Sequence, residues 1–438
     1  MAKIFFILII IFFQNVSPVP AQIKIGVAIP LMKNSDNYGD KKLGEMMLKG
    51  INDALTEYDS SKLSVKIILK IEDTQKDQSA VLDIFNKFGS DSGFIAIFGP
   101  VYSSELVNNA GAAAFHKIPI ITPTATYNFL AEKNEFLFQL NPTYDIRGKI
   151  MAGFAMKELG MKNFMILSEE SYGKNFEESF AFEVNKNGGS IVFTKFYSKD
   201  QNDLSDELGE IRNKLFEKEK FIDFGNLNKS QFDKLQKIKF QFSYPDSLIN
   251  EKLTVSIYKL FGKNAERILD SIGIPYTPSI DKSEKYVLGL TDAVYVPISN
   301  SSEISKVASQ YFSENIPLPI LGTSDWNNGK DLSTNSNFIK ELYFESDFFL
   351  KNGINERLVN LDESEIKNYY FGYDGMKLIL DKIAEGSKTR QSLNEALQKL
   401  KGYEAEHNNV TINERSNHEM SIMIFRNGSI NKLRNYVH

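Results

Sequence analysis

The chain has 438 residues, 42% of them hydrophobic, with no cysteine and a formal charge of −5. The lack of cysteine excludes disulfides, thiolate metal sites and a lipid-modified N-terminal cysteine, so an exported form must rest on a large packed core. The length provides material for two domains, and the mildly acidic balance argues against nucleic acid as a partner.

The chain opens with Lys3, an apolar run from Ile4 to Phe13 and small residues near Ala21. This pattern predicts a cleaved secretory signal over 1–21, its apolar run well short of the ~20 residues a membrane-spanning helix needs. Its removal takes away one lysine and no acid, so −5 becomes −6. The mature protein is expected to be periplasmic or otherwise secreted. From Ile23 the chain alternates between two periods. "IKIGVAIP" reads as a strand, and "KKLGEMMLKGINDALTEYD" carries apolar residues at helical spacing. "SVKIILKIED" is a strand, "QSAVLDIFNKFGSD" a helix, "FIAIF" a strand, "SELVNNAGAAAFHK" a helix and "IPIIT" a strand.

The alternation restarts with the helix "DIRGKIMAGFAMKELG", the strand "NFMILS", the helix "FEESFAFEVNKNG" and the strand "SIVFTKF". "DAVYVPI" and "LPILGTSDW" are strands around a further helix. Two late helices and a final meander with a hairpin turn at Asn427-Gly428 complete the chain. Such alternation predicts βαβ units and mostly parallel sheets, arranged as two α/β lobes. Residues 207–288 break the rhythm with weak helical stretches, and predict an inserted, mostly helical subdomain.

In open α/β sheets ligands bind beyond the carboxyl ends of strands. The loops at those ends carry Tyr38, Ser103 with Ser104, Thr124 with Thr126, Tyr172, Ser299 with Asn300, and Asp325 with Trp326. Hydroxyls and backbone N–H groups at Ser103, Ser104 and Thr126 suit a carboxylate. Asp325, the Thr126 hydroxyl or a loop carbonyl suits an ammonium, and Tyr38, Tyr172 and Trp326 would pack on the ligand. A serine before a helix is most often only a cap, and Ser103 and Ser104 can divide capping and binding between them. As a nucleophile either serine lacks a base: His116 lies at the far end of the same predicted helix, ~20 Å away at its rise per residue. No GxSxG elbow occurs. His407 and His418, beside Glu404, Glu406 and Glu414, match no zinc spacing and read as a solvated polar loop. Glu169-Glu170 reads as loop surface. Tyr373 and Asp374 are expected to fix a helix near the hinge rather than touch ligand. No catalysis, metal or cofactor is expected.

These segments resemble the type I periplasmic solute-binding proteins of the branched-chain amino-acid (Leu/Ile/Val) class of ABC transporters. The resemblance lies in "IKIGVAIPLM", "FGPVYSSELVNNAGAAAFHKIPIITPTAT", "YDIRGKIMAGFAMKELGMKNFMILSEESYGKNFEESF", "DAVYVPISN", "LPILGTSDW" and "FGYDGMKLI". It implies two doubly wound, Rossmann-like lobes joined by a three-strand hinge: 23–144 plus 346–409, and 145–345 plus 410–438, with the 207–288 insertion in the second. By the same resemblance Ser103 and Thr126 hold the ligand's charged ends, and Thr124 contributes backbone. Tyr38 and Tyr172 line the cleft from the two lobes, and Asp325, or else Ser324, meets an ammonium. The implied function is an extracytoplasmic receptor, expected to be a monomer, that closes on a small zwitterion and delivers it to a membrane permease. Two departures stand out. The 207–288 block has no counterpart in compact members, and Ser299-Asn300 stands where the family often has an aromatic. They keep a second reading open: an envelope interaction or sensor module with the insertion as its docking surface.

Overall fold

The computed structural model describes residues 22–33, 37–132, 134–238, 253–278, 280, 287–351 and 353–438. The expected signal over 1–21 lies outside them. Two seven-stranded sheets form the two lobes. In the first, the fully buried strand Phe94–Phe98 pairs in parallel with Gln22–Ile29, which pairs in turn with Lys66–Asp73. Ile120–Thr122 and Leu137–Gln139 extend the sheet on the other side. An uninterrupted apolar run such as Phe94–Phe98 is what a strand covered by helices on both faces requires.

One face of this sheet is covered by the helices Tyr38–Glu57 and Glu363–Ala384, which share a core containing Met47, Ile51, Phe371 and Ile379. These helices touch backbone to backbone. A Cβ on Gly50 would lie 2.0 Å from the Tyr369 carbonyl oxygen, and one on Gly372 would lie 2.1 Å from that of Met47. Only glycine permits that approach.

The second sheet runs Ser429–Val437, Glu419–Arg426, Glu341–Ser346, Ile320–Gly322, Ala293–Tyr295, Asn163–Glu169, Ser190–Tyr197. The five strands from Glu341–Ser346 to Ser190–Tyr197 are parallel, and Glu419–Arg426 with Ser429–Val437 at the other edge form an antiparallel hairpin turning at Asn427-Gly428, both at positive φ. The helices Tyr144–Lys157 and Lys174–Lys186 cover one face. Ser205–Phe216 and Ile304–Ser313 cover the other. The chain passes between the sheets three times: after Gln139, after Ser346 and between Asn417 and Glu419. This is the two-lobed, doubly wound fold with a three-strand hinge.

Several expectations need correction. The hairpin of Ile412–Asn413 and Ser416–Asn417 joins the edge of the first sheet, through Ser416 beside Gln139. The third crossover therefore falls at His418 rather than at 410. The insertion starts later than 207, because Leu208, Ile211 and Leu215 are buried in the second lobe's core. Among its described residues helices predominate, as expected: Lys229–Gln236, Ile257–Phe261 and Ala265–Ile272. Phe221–Asp223, Thr254–Ser256 and Val287–Leu288 form a three-stranded sheet over a separate small core containing Ile222, Val255, Leu260 and Leu269. The helix expected over 104–117 is two short helices, Ser103–Leu106 and Gly111–His116. Asn109 lies between them and donates its side-chain amide to the carbonyls of Glu105 (2.9 Å) and Gln78 (2.7 Å), the side-chain competition that interrupts helices.

Candidate functional site

Between the lobes lies a cleft of about 390 Å³. Its floor and walls come from loops at the carboxyl ends of strands. Phe94–Phe98 leads to Ser103 and Ser104, and Ile120–Thr122 to Thr124 and Thr126. Asn163–Glu169 leads to Tyr172, and Ile320–Gly322 to Ser324 and Asp325. Ser103 joins two of these loops: its Oγ accepts from the backbone N–H of Thr126 (2.9 Å) and of Tyr127 (3.1 Å). Thr124 donates to the Val101 carbonyl at 2.8 Å, so its hydroxyl is already engaged.

Tyr172 is held from both ends. The Glu169 carboxylate accepts from its backbone N–H at 2.7 Å, and its own hydroxyl donates to Asp325 at 3.0 Å. Glu169 is thus buried and structural rather than loop surface. The Tyr172 ring lies 5.5 Å from that of Tyr144, which in turn lies 6.2 Å from Tyr127 of the first lobe. Burial keeps the Tyr172 hydroxyl protonated, and Asp325 reinforces it.

Three expected residues lie elsewhere. Trp326 is fully buried and donates its indole N–H to the Val296 carbonyl at 2.8 Å. Ser299 donates its hydroxyl to Glu303, which also accepts the Ser299 backbone N–H at 2.9 Å. Tyr38 begins its helix with its side chain exposed and is not among the cleft-lining residues.

The cleft also holds a buried cation, Arg147, which is 4% exposed. It donates from Nε to the Pro142 carbonyl (3.0 Å), from Nη1 to Ser324, and from Nη2 to Asn141 (2.8 Å) and Asp347 (3.1 Å). A guanidinium has five N–H groups. One therefore remains on Nη1 without a partner among the described residues, on a side chain that lines the cleft. Lys367 donates to the other oxygen of Asp347 at 2.8 Å. Burial opposes ionisation of Asp347, but Lys367 and Arg147 outweigh it and hold the carboxyl well below the usual range. Burial pushes Asp325 up to about 6 against the pull of Arg147 and Lys367. It pushes Glu345, which accepts from Ser324 at 2.8 Å, up to about 8. Burial thus favours the uncharged form of Glu345, and among the cleft-lining residues two cations, Arg147 and Lys367, face two carboxylates, Asp325 and Asp347.

Sequence reading missed Arg147, Asp347 and Lys367. The available signal was a charged residue inside an otherwise apolar segment. Arg147 stands among Ile146, Ile150, Met151 and Phe154, and Glu345 and Asp347 stand within "LYFESDFF". The histidines were also misread. His407 bonds Asp374 through Nδ1, and His418 is 9% exposed at the third crossover, so neither sits on a solvated loop. Among the described residues no helix is long and apolar enough to cross a membrane.

The family model described as "Periplasmic binding protein" matches residues 22–215. No curated protein sequence matches the chain. Among solved structures, a leucine-binding protein, LivK, of Thermotoga maritima superposes with a TM-score of 0.53 at 17% identity, over 95% of this chain and 99% of its own. A branched-chain amino acid ABC transporter periplasmic ligand-binding protein of Burkholderia xenovorans gives 0.60 at 14% identity, over 95% and 96%. A solute-binding protein of an ABC transporter from Rhodopseudomonas palustris, in complex with 3,4-dihydroxybenzoic acid, gives 0.53 at 13% identity, over 95% and 98%. The chain therefore has the fold of the type I periplasmic binding proteins, and the periplasmic-binding-protein family model matches its residues 22–215.

Proposed function

We propose that the protein is an extracytoplasmic receptor whose lobes close on one small zwitterion, an amino acid or a close analogue, and present it to an ABC-type permease. The observation that carries this reading is the charge pattern of the cleft. Arg147 and Lys367 balance Asp347 and Asp325, so the ligand that fits best has no net charge but two separated poles. A carboxylate would take the hydroxyls of Ser103, Ser104 and Thr126 on the first lobe. An ammonium would take Asp325 on the second, with Tyr144 and Tyr172 against the ligand's body. A site with a few fixed polar groups among aromatic walls is what small-molecule recognition requires. Of the transporter proteins of the same fold, two are described for leucine or branched-chain amino acids, which supports the class of ligand.

Native mass spectrometry of the purified protein, before and after denaturation and refolding, tests this. A small adduct present before refolding, absent after it and restored by an amino acid is the expected result. No adduct, and no binding by the refolded protein, would transfer the function to the interaction-module reading.

A further inference from the structure

Where the lobes join lies a second, much smaller cavity of about 20 Å³, room for one water-sized occupant. Two crossovers contribute to its wall, Asn141 from the first and Asp347 from the second, and Asn408 and Asn409 come from the first-lobe segment that leads towards the third. The first-lobe helix Glu363–Ala384 adds Asp374.

Three side-chain oxygens of these wall residues have no partner among the described residues: Asp374 Oδ1, Asn408 Oδ1 and Asn409 Oδ1. Asp374 is 3% exposed and Asn408 5%, so bulk solvent does not satisfy them. Leaving such groups unpaired is costly, and native proteins rarely do so. The other Asp374 oxygen is already taken by the backbone N–H of His407 (2.9 Å) and by its ring. Asn409 donates its amide to Glu419 at 2.9 Å, which fixes which end of that side chain is the unpaired oxygen.

The unmet groups are acceptors, and one of them is a carboxylate oxygen. A single water has two hydrogens to donate and would leave one of the three unpaired, whereas a cation can take all of them. One carboxylate with two amide oxygens suits a single positive charge. Among the described residues no three acidic, His or Cys side chains cluster as a metal site. A divalent ion would keep an uncompensated positive charge there, since only one of the three unmet oxygens belongs to a carboxylate.

We propose that the hinge cavity binds one small monovalent cation of the size of sodium, potassium or ammonium. It joins the segment leading towards the third crossover, through Asn408 and Asn409, to the first-lobe helix, through Asp374. It thereby stiffens the first-lobe side of the hinge.

Thermal unfolding of the full chain at constant ionic strength tests the site, with choline chloride exchanged for sodium, potassium or ammonium chloride. Tm is expected to rise saturably with at least one of the three, by the mass action of a ligand that binds only the folded state. The most effective salt identifies the ion. Asp374→Asn keeps an oxygen for the His407 N–H but removes the charge, and should weaken the apparent cation affinity about tenfold or more. Asn408→Leu should abolish the dependence. A Tm that does not distinguish choline from all three cations overturns the proposal. So does an equal response in the unaltered chain and both variants, which marks a general salt effect. If neither variant folds, crystals of the unaltered chain soaked in thallium(I) decide. An anomalous peak in the cavity supports the site, and its absence there overturns it.

Discussion

Arg147 is tied to four protein partners, and that decides what its loss would do. Asp347 would be left with Lys367 and Asn141, and Ser324 and the Pro142 carbonyl would lose their donor. Removing one member of a buried ion pair costs about 3–5 kcal/mol, because the other charge stays buried. Arg147→Met should therefore lower the free energy of unfolding in chemical denaturation by that order. Asp325 works in the opposite direction. Its carboxyl is raised from 3.8 to about 6, so folding disfavours its charge. In the ligand-free protein this group's contribution makes stability fall as pH rises from about 4 to about 6, because the unfolded chain ionises first. Ammonium binding needs the ionised form, so affinity should fall below pH 6 by up to about tenfold per unit. Calorimetric titration across that range should show the loss, and Asp325→Asn should bind weakly and without that pH dependence. The hydroxyls of the cleft were legible in the sequence because their place, between the end of an apolar strand and a helix, follows from the alternation itself. Trp326 was not legible. Within the short turn Ser324–Trp326, adjacent side chains part, Asp325 to the cleft and Trp326 to the core, and no periodicity reports that.

At the scale of elements, the long ones were readable and the short ones were not. Helices such as Tyr38–Glu57 repeat their apolar face over several turns, and five-residue buried strands such as Phe94–Phe98 are apolar throughout. The two-residue strands at Ile412–Asn413 and Ser416–Asn417 have no period to detect, and their partner Leu137–Gln139 lies far away in sequence. The same holds for the strands of the insertion, each three residues or fewer. Long elements carry the packing, and the contact of Tyr38–Glu57 with Glu363–Ala384 is its tightest test. Gly372→Ala would push a methyl against the Met47 carbonyl, where neither backbone can yield without moving a helix. Overpacking of this kind costs about 1–3 kcal/mol, and the melting temperature should fall accordingly. An unchanged melting temperature would mean that the two helices are less closely apposed.

For the molecule as a whole, the insertion hangs from one strand connection of the second lobe. Its two ends are held together: Glu219 accepts the backbone N–H of Leu290 at 3.0 Å. Segments whose ends meet can be excised with a short linker. Replacing 220–289 by such a linker should leave a folded protein with unchanged ligand affinity, measured by calorimetry. Deleting 207–288 should not, since it removes Leu208, Ile211 and Leu215 from the second lobe's core. Retained folding with lost ligand affinity after the shorter excision would instead make the insertion part of the binding apparatus.

The central claim is that the cleft recognises a small molecule by its two opposite charges. Its most direct test is calorimetric titration of refolded full-length mature protein with the amino acid that restores the native-mass adduct, alongside that amino acid's N-acetyl and carboxamide derivatives. The account predicts one molecule bound per chain for the free amino acid and no measurable heat for either derivative, each of which has lost one pole. Equal binding of all three, or of none, would contradict it.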